Sequence, residues 1–427
     1  MTVMDAAAQV LAARWVPKWH EVFTDPETGL FFERVDRTFR PVATGRRRLL
    51  SQLRQLAMYA HAARRKDTLL FRGLFLFRPD LEAAFTAITR HFSRENGVWR
   101  FALDDACAPL DDTQDLYTQA FVIFAAAHYG RATGDPAARA TALEAAGHID
   151  TAFRDGMDAG FAEALDAHGT PVADTPRRHE SHMHLLEAVL EAGSLWDDAI
   201  FRRLADEIVA LFHARFYDAG THCLSEYFTP DLAPLPDAQS GRIICEPGHY
   251  YEWIWLLKKH AARAHDATCL RLLAWANAHG WDAQYGGIYD ELDPNGTPVR
   301  DTKRLWPLTE ALKANALLLD IAPDRDAAKD LMARVAALLN GVYIEKRGFW
   351  TEWRNRDLSP ATDYMPATTP YHVYFGVMEA RDALRARGAS KSLRAGPRMA
   401  VYAVARAASA LVRAARFKLK KVRPVRD

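Results

Sequence analysis

Apolar residues recur at spacings of three and four over stretch after stretch of this chain, the signature of helices that turn one face to a core. The pattern predicts helices over residues 48–64, 81–92, 116–131, 136–145, 153–164, 182–192, 196–212, 250–264, 268–278, 306–319, 327–339, 370–387 and 399–419. Alternating strand patterns are sparse. Short ones at 288–292 and 348–353 sit beside Gly286, Gly287 and Gly348, and read as hairpins inside loops. The fold class is therefore all-α.

No linker rich in Pro, Gly or Ser divides the chain before about residue 387, so residues 1–390 form one domain of helix pairs without a strict sequence repeat. Pairs that close on themselves make an (α/α)6 barrel. Its inner helices are apolar almost all round, its outer ones amphipathic, and the long aromatic-rich connections 280–305 and 341–370 rim a funnel. Residues 391–427 stand apart as a basic C-terminal helix and tail. From Arg394 to Asp427 there are ten Lys or Arg and one acid, with Met399, Val401, Val404, Ala408, Leu411 and Val412 at helical spacing. Such a helix can lie on an anionic membrane surface; the preferred alternative is a helix docked on the barrel with a solvated tail.

Composition narrows the partners. A formal net charge of +1 over 427 residues offers no global field for nucleic acid, so a small molecule recognised locally is expected. Cys107, Cys223, Cys245 and Cys269 show no paired spacing, which points to a reducing cytoplasm rather than a disulfide framework or a zinc cluster. Residues 1–16 lack a basic leader followed by an apolar run, and no stretch is long and apolar enough for a membrane span. Monomer and homodimer both remain open.

Three histidines open, or nearly open, inner-type helices. In Glu246-Pro247-Gly248-His249, proline marks a helix start, and the positive end of the helix dipole predicts a neutral His249 ready to accept a proton. Glu252 follows one turn later, able to orient that imidazole or bond a hydroxyl. His184 and Glu187 repeat the spacing, and His372 follows Pro370-Tyr371. Taken singly, each histidine also fits a packed helix start. A metal reading is weaker: His182 and His184 lie about 200° apart on a helix, and the chain has no HExxH. Arg54 sits inside an apolar pattern and must find polar partners, either sugar hydroxyls or a buried carboxylate. Tyr117 and Trp306 offer flat faces that suit the apolar side of a sugar ring or a core.

Together these residues resemble the N-acylglucosamine 2-epimerase family, which includes mannose isomerases, cellobiose 2-epimerases and sulfoquinovose isomerase. The likeness spans roughly residues 15–381 and rests on Arg54-Gln55, Asp115-Leu116-Tyr117, His184-Leu185-Leu186-Glu187, Glu246-Pro247-Gly248-His249 with Glu252-Trp253, Leu305-Trp306-Pro307 and Tyr371-His372. It implies an (α/α)6 barrel in which His249 and His372 act as acid and base. It also implies that Arg54, Tyr117, His184, Glu252 and Trp306 hold the opened sugar. Many relatives carry Asn four residues before the His184 equivalent, where this chain has Glu180, an acceptor-only group that alters which sugar fits.

The expected reaction is aldose–ketose isomerisation of the mannose–fructose type, on an unphosphorylated or simply substituted hexose, through a cis-enediol(ate). The Asp-Leu-Tyr and Thr-Pro-Tyr-His contexts look closest to the bacterial mannose isomerase branch. No metal, nicotinamide or ATP is expected, because no dinucleotide or phosphate-cradling glycine motif is present. The alternatives are a 2-epimerase acting on N-acylglucosamine or cellobiose-type sugars, a glycoside hydrolase using two of Glu187, Glu246 and Glu252, and a non-catalytic carbohydrate-binding toroid.

Overall fold

The structure is a computed structural model and describes residues 3–65, 78–154, 160–173 and 175–386. Its helices in chain order are α1 (Val3–Val10), α2 (Val16–Phe23), α3 (Leu49–Arg64), α4 (Arg78–Phe92), α5 (Leu116–Thr133), α6 (Pro136–Ala152), α7 (His179–Gly193), α8 (Ala199–Leu211), α9 (Pro247–His260), α10 (Asp266–His279), α11 (Trp306–Leu318), α12 (Arg325–Leu339) and α13 (Thr369–Ala386). A π-helical turn over Leu11–Trp15 joins α1 to α2.

Helices α3, α5, α7, α9, α11 and α13 each pack on the next, and α13 returns to α3, closing an inner ring. Each carries an outer helix on its flank: α4, α6, α8, α10 and α12 in turn, with α1 against α13. The sequence patterns match these layers. Almost every residue of α5 is buried, whereas α8 buries one stripe, Phe201, Leu204, Ala205, Ile208, Val209 and Leu211, and leaves the rest to solvent. This is the predicted (α/α)6 barrel.

Short antiparallel ladders string the rim together at the N-terminal ends of the inner helices. Residues 47–48, entering α3, pair with 102–103; residues 114–115, entering α5, pair with 164–165; residues 177–178, entering α7, pair with 227–228. Cys245 bridges Leu292 ahead of α9, and residues 303–304 pair with 353–354 ahead of α11. The belt closes where Arg34, Val35 and Asp36 meet Pro366, Met365 and Tyr364. A local repeat underlies part of it. Arg48 and Ser51 both bond Glu33, and Arg178 and Ser181 both bond Glu163 in the same arrangement. Lys303 fastens the rim further along, its ammonium buried against Asp282 at 2.8 Å and the carbonyls of Gly286 and Arg356.

One expectation shifts, and one pair of helices was not foreseen. The segment 153–164 is not a helix where it is described: α6 stops at Ala152, Phe153 accepts a hydrogen bond from the Ala162 amide, and Ala164 enters a ladder. Gly160 bars a helix from running through that point, with φ at +73° and the place of a Cβ lying 2.7 Å from the His182 ring. Helices α1 and α2 were not anticipated; Trp19 and Phe23 bury fully against Trp350. The predicted helix 399–419, and with it the basic tail of residues 391–427, lies outside the described residues. Among those described, no helix is long and apolar enough to cross a membrane.

Ring closure depends on close approach between α11 and α13. At Gly376 a Cβ would lie 2.6 Å from the Thr309 Cβ and 3.0 Å from its carbonyl oxygen. At an exposed helical position Gly→Ala stabilises by about 1 kcal/mol. Here overpacking reverses the sign, and Gly376→Ala is expected to cost about 1–3 kcal/mol, read as a lower urea midpoint.

Candidate active site

Six helix N-termini converge on one end of the barrel, and there the structure holds a cavity of about 680 Å³. All eight site residues expected from the sequence line it: Arg54, Tyr117, Glu180, His184, His249, Glu252, Trp306 and His372. His249 is the third residue of α9 and His372 the fourth of α13. Trp306, the first residue of α11, lies between them, its ring 5.0 Å from that of His249 and 5.4 Å from that of His372. Gly248 makes this possible, since a Cβ there would fall 2.4 Å from the indole.

The two imidazoles sit in opposite electrostatic surroundings. His249 donates from Nδ1 to Glu226 at 2.9 Å, with Glu246 at 3.8 Å, and its Nε2 lies 3.9 Å from Glu180. Burial disfavours its charge, yet Glu226 and Glu246 outweigh that and push His249 up to about 10. His249 is therefore an imidazolium at neutral pH, which corrects the neutral base expected from its place in a first helical turn. The cause is distance: the Glu226 carboxylate at 2.9 Å outweighs the partial charge of a helix end.

His372 is the reverse. Its Nδ1 meets Glu310 at 3.3 Å, so that carboxylate takes the Nδ1 hydrogen and leaves the Nε2 lone pair free. Burial lowers His372 to about 4 despite Glu310, helped by the charges of Arg54 and Lys313. Lys313 Nζ stands 2.5 Å from Glu310 and absorbs much of its charge.

The floor of the cavity is a packed polar layer. Arg54 donates to the Tyr117 hydroxyl and lies over the rings of Phe121 and Tyr371 at 4.7 and 4.9 Å. His184 packs edge-on against Tyr117 and meets Glu187 at 3.2 Å; burial, then Arg54, lowers it well below its usual value. Glu187 also accepts from Tyr371. Burial, then the nearby Glu310 charge, raises Glu252 well above its usual value, which favours its neutral form. Its Oε2 has no hydrogen-bond partner among the described residues, leaving it available to a sugar hydroxyl.

Three groups bring metal-type donors within 4.8 Å of one another: His179, Glu226 and His249; His184, Glu187 and Glu252; Glu252, Glu310 and His372. Several of their donors are already engaged, while Glu252 Oε2 is not. His179 accepts from Trp253 at Nδ1 and reaches Glu226 with Nε2, Tyr371 occupies Glu187, and Lys313 supplies a cation beside Glu310.

Sequence reasoning missed Glu226, Arg304 and Lys313. Lys313 lies three residues after Glu310 inside an apolar helix, the same signal that exposed Arg54. Arg304 pairs with Asp290 and Glu246 across the rim. Glu226 sits in a bend between two short strands, and its place beside His249, 23 residues on, only folding sets.

The profile of the N-acylglucosamine 2-epimerase (GlcNAc 2-epimerase) family matches residues 29–376. A mannose-6-phosphate isomerase of Rhizobium meliloti (strain 1021) is 31% identical over 87% of this chain and 94% of its own. A cellobiose 2-epimerase of Bacteroides fragilis is 26% identical over 66% of this chain and 73% of its own. The structure of the cellobiose 2-epimerase from Spirochaeta thermophila superposes with a TM-score of 0.76 at 20% identity, over 90% of this chain and 98% of that one. These findings displace the hydrolase and binding-toroid readings, and with the family profile matching most of the barrel, the chain belongs to the N-acylglucosamine 2-epimerase family and is a sugar isomerase or epimerase.

Proposed function

We propose that this chain interconverts a mannose-type aldose and its ketose by proton transfer between two histidines of fixed and opposite charge. The observation that carries this reading is the placing of two buried imidazoles on either side of one indole, His249 among Glu226, Glu246 and Glu180, and His372 beside a Glu310 paired with Lys313. The name of the Rhizobium relative supports the aldose–ketose outcome over 2-epimerisation.

In this mechanism His249 donates its Nε2 proton to the ring oxygen as the bond from C1 to that oxygen breaks, takes up the proton that the C1 hydroxyl releases on becoming the carbonyl, and then donates it to the carbonyl oxygen at C1. His372 Nε2 removes the C2 proton, a task suited to a neutral imidazole. The developing enediolate is stabilised by His249 and by the fixed charge of Arg54, both buried where charges interact strongly. Returning the proton from His372 to C1 on the same face, while the O2 hydroxyl gives its proton back to the now neutral His249, yields the ketose and restores both histidines. Protonated Glu252, Tyr117 and His184 bond the hydroxyls of the open chain, and Trp306 packs against its apolar side. No step calls for a metal, so prolonged dialysis against a chelator is expected to leave the rate of mannose turnover unchanged.

In deuterium oxide, NMR is expected to show deuterium entering C1 of the ketose product; label confined to C2 of a 2-epimer indicates the epimerase outcome. His249→Ala and His372→Ala should each lower the rate by about 10²- to 10⁴-fold with the helical circular dichroism kept. Near-normal turnover in either variant removes that histidine from the mechanism.

The pH profile follows from the two charges. Activity needs His372 neutral, so it falls as pH drops through about 4. It needs His249 protonated, so it falls again as pH rises towards about 10. Glu226→Gln removes the nearest carboxylate charge while Glu246 and Glu180 remain, and is expected to move the alkaline limb of kcat/KM to lower pH. An unmoved limb assigns it to another group.

A further inference from the structure

We propose that the mouth of this cavity holds a phosphoryl group on the far end of the sugar, bound by the guanidinium groups of Arg34 and Arg46. The inference rests on the isomerase reading and adds to it the class of substrate, a hexose phosphate monoester.

The argument begins with charge accounting around the wall. Five arginines line the cavity: Arg34, Arg46, Arg48, Arg54 and Arg304. Three are engaged. Arg48 bonds Glu33 through Nε at 3.0 Å and Nη2 at 2.8 Å. Arg304 is paired with Asp290 and Glu246, and Arg54 with the Tyr117 hydroxyl. Arg34 and Arg46 have no carboxylate partner among the described residues.

Four carboxyl groups also line the wall, and none cancels these two cations. Glu33 is spent on Arg48, and Glu180 meets Arg178 at 3.2 Å. Glu252 and Glu352 are pushed up by burial and so stand nearer their neutral form. The mouth keeps an excess of positive charge that a neutral hexose has no means to offset.

Geometry then selects the ligand. Arg34 stands in the ladder that closes the belt, opposite Pro366, with its guanidinium stacked 4.6 Å over the Tyr364 ring. Its Nε is buried and makes no hydrogen bond among the described residues, an uncommon state for a group that desolvates at a cost. The ring holds the guanidinium beside the cavity, and planar N–H forks match phosphate oxygens two at a time. Arg46 lies on an exposed loop of the same wall, beside Thr44. Two arginines from separate backbone segments suit a dianion better than a hydroxyl. The phosphoryl end then sits on the rim side of α13, with the reacting carbons below at Trp306.

The test compares kcat/KM for mannose 6-phosphate and mannose in the full chain, in Arg34→Gln, in Arg46→Gln and in the double variant. Arg46→Gln lies on the exposed loop and keeps the test open should Arg34→Gln disturb the Tyr364 stack. The wild type is expected to prefer the ester by about 10- to 100-fold, as charge-assisted contacts of this kind do. Each single variant should lose part of that ratio and the double variant nearly all of it, through a higher KM for the ester. Inorganic phosphate should inhibit the wild type competitively and the double variant much less. A wild-type ratio near one, or a ratio the variants preserve, overturns the proposal. If neither sugar is turned over, the isomerase reading fails instead. Calorimetry with inorganic phosphate then decides the subsite by itself: binding lost in the double variant supports it, and binding absent from the wild type overturns it.

Discussion

Ring closure is the constraint from which the rest of this structure follows. Six inner helices share one axis only if the last returns to the first, and here α13 packs on α3 while residues 34–36 pair with 364–366. Once the ring is shut, the helix N-termini of α3, α5, α7, α9, α11 and α13 face one space. Side chains from positions as far apart as Arg54 and His372 then become neighbours. Small residues at the contacts keep the ring tight: Gly376 admits Thr309, and Gly248 admits Trp306.

Closure also buries charge, and the barrel uses that burial to separate two identical side chains. His249 and His372 have the same intrinsic chemistry and nearly the same place in a helix. One is surrounded by Glu226, Glu246 and Glu180, the other by a single carboxylate backed by Lys313 and Arg54. At His249 the neighbouring charges together outweigh burial, whereas at His372 burial prevails over the one carboxylate. In the proposed mechanism this separation makes an acid and a base from one residue type at one pH.

The same clusters are poor candidates for sources of stability. Buried ion pairs roughly break even against apolar packing of the same shape. The layer formed by Glu187, Glu252, Glu310 and Lys313 lies directly beneath the cavity, while the ordinary core of the barrel is carried by alanine, leucine and aromatic side chains. Polar groups concentrate at the one end of the ring where loops can reach them, and stability is left to the helix–helix contacts below.

Much of this was legible in the chain itself. Period-3.6 patterns marked most helices, the near-complete apolarity of segments such as 116–131 marked the inner layer, and a proline before His249 marked a helix start that does face the cavity. Local chemistry therefore determined the element types, the layer each helix belongs to and the residues with a functional look. What the chain could not carry was the protonation of those residues. That depends on Glu226 from a bend between two strands and on Lys313 from another helix, partners whose distance is set by ring closure and not by spacing along the sequence. The turn at Gly160 escaped for the same reason, because the His182 ring that crowds it comes from another segment. Short-range periodicity fixes which face of a helix is buried; only the closed ring decides which charges share that burial, because Coulomb energies depend on distances that the sequence does not contain.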